Sequence, residues 1–138
     1  MTKDELQDYL KRLYDDQYAR RMIIDSMRAY LHKWSQYGDY PGKKEHDTYV
    51  LNSIDHERTE MEKTAGTVEA WSQYIKNETH RAVFIDRYIY GMKWEDIADK
   101  YHYSHSQIFH INKKCCGEIA RKTVTDIVTD RASEAVSL

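Results

Sequence analysis

The sequence predicts an all-α fold: a long N-terminal helical hairpin, followed by shorter helices that end in two joined by a tight turn. Three observations predict it. Proline occurs once and glycine five times in 138 residues, which favours long helices over many turns. Apolar residues recur at spacings of three and four over long stretches, the mark of amphipathic helices. Only residues 38–47, GDYPGKKEHD, read as a clear loop.

The first element is a helix over residues 4–37, with Thr2 and Glu5 placed to form a capping box at its start. Leu6, Tyr9, Leu10, Leu13, Tyr14, Tyr18, Met22, Ile23, Met27, Tyr30, Leu31 and Trp34 form its drifting apolar stripe. Gly38 ends it, and Pro41-Gly42 is a turn signal. Asp47 or Thr48 then starts a second helix, from about Tyr49 to Ile75, with Val50, Leu51, Ile54, Met61, Ala65, Val68, Trp71 and Ile75 inward. Two long helices about one loop predict an antiparallel hairpin. Asn77 marks a boundary, and a third helix covers residues 78–90, ended by Gly91. A short helix over 94–101 and another beginning after Ser104 follow. The hydroxyl of Ser104 suits an N-cap. Residues 123–138 read as a helical tail, frayed at its Ser- and Ala-rich end.

Composition narrows the function. Hydrophobic residues make up 41% and charged residues 32%, enough for a core and too charged for a membrane protein. No run is long enough to cross a bilayer. The acidic, amphipathic start MTKDELQDYL is neither a secretory nor a transit signal, so a cytoplasmic protein is expected. Cys115 and Cys116 are adjacent on a helix, poorly placed to bond each other, and read as reduced thiols. Cys115 is expected in the core and Cys116 at its edge. Seven histidines are present, yet no zinc-type spacing occurs, so no metal and no cofactor are expected. The chain carries no phosphate loop, dinucleotide fingerprint or nucleophile elbow, and no enzyme is expected.

The informative stretch is residues 94–116, WEDIADKYHYSHSQIFHINKKCC. Ile97 and Ala98 face inward from the first helix, and Ile108, Ile111, Cys115 and Ile119 from the second. This is the layout of a helix-turn-helix, whose second helix enters the DNA major groove. Its outward residues are His105, Ser106, Gln107, Phe109 and His110, suited to base edges, then Lys113 and Lys114, suited to phosphates. Lys93 and Arg121 are further phosphate candidates. Between Ser104 and Lys122, four cations meet one carboxylate, Glu118, a local balance of +3 in a chain of formal net charge −2.

Residues 87–120 resemble the C-terminal part of small phage transcriptional regulators of the ArpU and RinA type, which resemble region 4 of sigma-70 factors. The residues that carry the resemblance are Arg87, Tyr88, Gly91, Trp94, Glu95, Ile97, Ala98, Tyr103, Ser104, Ile108 and Ile111. It implies a sigma-70 region 4-like helix-turn-helix and regulation of phage genes, often late ones, in a bacterial host. Two departures stand out. Lys93 occupies a position that more often holds Thr or Ser. Phe109 and His110 stand where sigma-like helices tend to carry Arg or Gln.

The expected organisation is therefore a hairpin over residues 1–76 for oligomerisation or partner binding, a DNA-binding unit over 77–122, and the tail. Expected partners are double-stranded DNA and further copies of the chain, a dimer being simplest. Two other readings stand beside this one. A protein-interaction module would bind RNA polymerase or a sigma factor without touching DNA. A small DNA-recognition subunit of a phage packaging terminase would also pair a helix-turn-helix with an oligomerising helical part.

Overall fold

A computed structural model describes the backbone of residues 1–137 and the side chains of residues 1–123. The regular elements within them are five helices: α1 Lys3–Ser35, α2 Lys43–Ser72, α3 Glu78–Tyr88, α4 Trp94–Tyr101 and α5 His105–Ser137. No strand occurs among the described residues, and none of their helices is long and apolar enough to cross a membrane. The expectation of a frayed C-terminal end falls on residues 124–138, whose side chains lie outside the described residues.

Contacts divide the chain into two compact units. One combines residues 1–14 with the chain from Thr67 onward; the other is Asp15–Gly66. In the first unit, Leu6, Leu10 and Leu13 of α1 share a core with Val68 and Ile75, with Val83, Phe84 and Tyr88 of α3, and with Ile97 and Ala98 of α4. From α5 come Ile108, Ile111, Cys115, Cys116, Ile119 and Ala120. Each large aliphatic or aromatic side chain so enclosed contributes roughly 1.5–3 kcal/mol relative to exposure. Cys116 is 0% exposed, a correction to its expected place at the core edge. The first turns of α1 thus belong to the same core as α3, α4 and α5.

The second unit has a thin core of Ile24, Val50 and Ile54, with Met27, Leu31 and Met61 against it. Within it, Arg20 Nη1 donates to Glu57 Oε2 at 2.7 Å, and Tyr30 Oη lies 3.1 Å from His46 Nε2. The apolar stripe expected along α1 is wrong in part here. Tyr18, Met22, Ile23 and Tyr30 are exposed, while Ile24 and Gln17 are buried. The buried line runs Leu6, Leu10, Leu13, Gln17, Ile24, with alternating steps of four and three where neighbours permit. A seam of this kind selects positions by register, and hydrophobicity alone does not find it.

Helix α2 also starts earlier than its expected cap. Gly42 adopts φ +80° and ends the turn, and His46 N–H donates to Gly42 O at 3.0 Å. Asp47 and Thr48, the two residues expected to start it, both lie inside α2, and Asp47 accepts from Lys43 Nζ one turn before it, at 2.9 Å.

Candidate nucleic-acid interface

Backbone geometry at two junctions aims α4 and α5. Gly91 takes φ +71° after α3, and Met92 N–H reaches back to Asp86 O at 2.9 Å. This is the left-handed closure that glycine permits at a helix end. Lys93 then stands at the N-cap of α4 with no side-chain cap hydrogen bond. At the other end, His102 is left-handed (φ 59°, ψ 39°), and Tyr103 N–H donates to Ala98 O at 2.9 Å. Ser104 follows at once.

Ser104 and Gln107 form a reciprocal cap. Gln107 N–H donates to Ser104 Oγ at 3.2 Å, and Ser104 N–H donates to Gln107 Oε1 at 2.8 Å. Two backbone donors at the start of α5 are thereby satisfied. The Ser-x-x-Gln signature is present in the sequence, but reading Gln107 only as a base contact overlooks it. The cap occupies the amide oxygen, and the NH₂ group remains for other work.

Three side-chain arrangements hold these helices together. Asp86 on α3, 6% exposed, accepts from Tyr101 Oη at 2.6 Å and Lys100 Nζ at 2.9 Å, tying α3 to the end of α4. Burial and this bond raise the Tyr101 hydroxyl above its ordinary pKa; the bond to Asp86 does the same for Lys100. The Arg87 guanidinium lies over the Tyr14 ring at 3.4 Å and over the Trp94 ring at 4.3 Å, a cation between two aromatic faces. Its Nη1 also donates to Met92 O at 3.1 Å, while Tyr14 Oη donates to Gly91 O at 3.3 Å. Finally, buried Tyr88 donates to Asn112 Oδ1 at 2.8 Å, coupling α3 to α5. Burial pushes its hydroxyl well above the usual tyrosine range. Tyr14, Asp86 and Asn112 are absent from the sequence-derived set, because their partners are distant in the chain.

With α5 so placed, His105, Ser106, Gln107, Phe109, His110, Lys113 and Lys114 are all exposed, as are Lys93 and Arg121. Phe109 is 48% exposed, and its ring meets Trp94 edge-on at 6.1 Å. Ser106, Gln107 and His110 also line a shallow pocket of about 370 Å³ with His80, Tyr103 and Ile111. Burial, then the nearby Lys114, lowers the His80 pKa, and its buried Nδ1 has no hydrogen-bond partner. Burial pushes both thiols, Cys115 and Cys116, up to about 12, so neither is a nucleophile at neutral pH. Among the described residues, no group of three or more His, Cys, Asp or Glu side chains could hold a metal ion.

The arrangement offers donors and acceptors on the first turns of a rigidly backed helix, with cations further along it. No family model, no curated protein and no solved structure matches the chain.

Proposed function

We propose that this chain is a sequence-specific DNA-binding protein that regulates transcription, in the manner of the phage regulators it resembles. In this reading α4 and α5 are a sigma-70 region 4-like helix-turn-helix, and the N-terminal half of α5 enters the major groove. The observation that carries the proposal is the capped start of α5. The Ser104–Gln107 cap fixes its first turn, and every non-core side chain of the next two turns is polar or aromatic and points outward, apart from the half-buried Asn112. Ser106, Gln107 and His110 can exchange donors and acceptors with base edges, and Lys113 and Lys114 suit phosphates as flexible point charges.

The α1–α2 pair serves as an oligomerising hairpin. Tyr18, Met22, Ile23, Tyr30, Tyr37, Tyr49 and Leu51 are exposed on the second unit, which buries only three apolar residues of its own. Cores that small are marginal alone.

The test is binding to duplex DNA across a salt series. Direct phosphate contact makes affinity fall steeply with salt. Absence of binding to any duplex at low salt refutes the reading. The exposed Phe109 ring favours one alternative: an aromatic anchor of this kind suits a protein partner such as RNA polymerase or a sigma factor. Binding to polymerase that is lost in Phe109→Ala, with no DNA binding, would establish that alternative.

A further inference from the structure

The outward line of α5 runs on past Lys113 into a groove of about 510 Å³. Lys113, Lys114 and Arg121 line it from α5, Lys3 from the start of α1, and Lys76 and Asn77 from the α2–α3 junction. Lys3 crosses Gly117: a Cβ built at that glycine would stand 3.7 Å from Lys3 Cδ. Among the described residues the groove has one carboxylate, Glu118, which accepts from Lys76 N–H at 3.1 Å and ties the junction to α5. Among the described residues, Lys3, Lys76, Lys113 and Lys114 take part in no ion pair. Helix α3 begins at the groove, capped by Asn77, and its amino end adds partial positive charge.

Cations from three separate elements converge here, although the chain as a whole carries a net charge of −2. Unpaired lysines brought together by tertiary structure repel one another, and an anion relieves that repulsion. The groove continues the helix face that carries His110 and Lys113, so the anion it fits is repeated along a line next to the bases being read.

We propose that this groove clamps the DNA phosphate backbone beside the reading half of α5, with Lys3 and Lys76 as its phosphate contacts. The inference rests on the DNA-binding reading above and adds two residues from outside the helix-turn-helix. The N-terminal end of α1 is thereby part of the DNA-binding surface as well as of the core beneath it.

The experiment measures binding of the full chain to a mixed-sequence duplex over a salt series. It compares the wild type with the double variant Lys3→Gln, Lys76→Gln, with Lys113→Gln, and with Lys44→Gln in the other unit. Each lost phosphate contact flattens the plot of log affinity against log salt by roughly 0.9. The double variant should flatten it by roughly 1–2 and weaken all duplexes alike, while Lys44→Gln leaves it unchanged. If Lys113→Gln flattens the slope and the double variant does not, Lys3 and Lys76 are not phosphate contacts and the clamp proposal fails, though the DNA-binding reading survives. If Lys44→Gln acts as strongly as the double variant, the effect is one of overall charge and the groove proposal fails. A wild type that binds no duplex overturns both.

Discussion

The proposed function gives Gln107 a base-reading role beside its cap, and its substitutions separate the two. Its Oε1 accepts from Ser104 N–H, and its NH₂ is the donor available to a base. Gln107→Ala removes both. Its stability cost is small, about 0.5–1 kcal/mol for one partly solvated hydrogen bond, whereas Ser104→Ala removes the N-cap itself at about 0.5–2 kcal/mol. Gln107→Glu keeps an acceptor for Ser104 N–H and puts negative charge in the first turn, which favours the helix by about 0.3–1 kcal/mol. The Glu variant should therefore melt at or above the wild-type temperature. Its recognition should nevertheless change, because a carboxylate cannot donate to adenine N7 but can accept from cytosine N4. Losing a good side-chain–base pair costs about 1–3 kcal/mol, a five- to 150-fold effect at one base pair. The assay compares four duplexes that differ only at the base pair Gln107 prefers. Their affinity ratios cancel any uniform repulsion of the new carboxylate by phosphate. Unchanged ratios in a stable Gln107→Glu protein would show that Gln107 is a cap and nothing more.

Other outcomes follow from the same contacts. Ile108→Ala leaves a cavity at a position 1% exposed and should cost about 2–4 kcal/mol in denaturant unfolding; an unchanged midpoint would show that α5 is not packed against α3 and α4. His80 has a folded-state pKa below its ordinary 6.5, so the unfolded chain binds the extra proton first. Its contribution is complete above about pH 6.5 and is lost as pH falls through the folded-state value. The melting temperature should thus fall less on acidification in His80→Asn than in the wild type, and equal slopes would contradict this. Sedimentation at micromolar concentration should give a homo-oligomer, with a dimer the simplest form, and a monomer would remove the oligomerising role of the second unit.

Local signals made the helices and the turn legible. The Ser104 hydroxyl, the spacing of Ile108, Ile111, Cys115 and Ile119, and Gly91 after α3 each act within a few residues of their own position. Elsewhere the determining partner is distant. Arg87 lies between Tyr14 and Trp94, and no periodicity joins the first helix to the third. Asp86 looks like any solvated carboxylate until Lys100 and Tyr101 close on it. Gln17, 4% exposed, is a polar residue at a seam position, so counting apolar residues passes over it. Lys3 and Lys76 become neighbours of Lys113 only through the fold. Gln107 is a different case: its Ser-x-x-Gln cap is a local signal, legible in the sequence beside its suitability for base contact.

Under the proposed function, the N-terminal half of α5 reads base sequence. Selection of bound duplexes from a random pool tests it directly, run with the wild type and with the variant Ser106→Ala, His110→Ala. The wild type should enrich one motif, and the variant a motif that is relaxed at the contacted positions while residual binding stays salt-dependent. Enrichment of no motif, or of the same motif by both proteins, would contradict it.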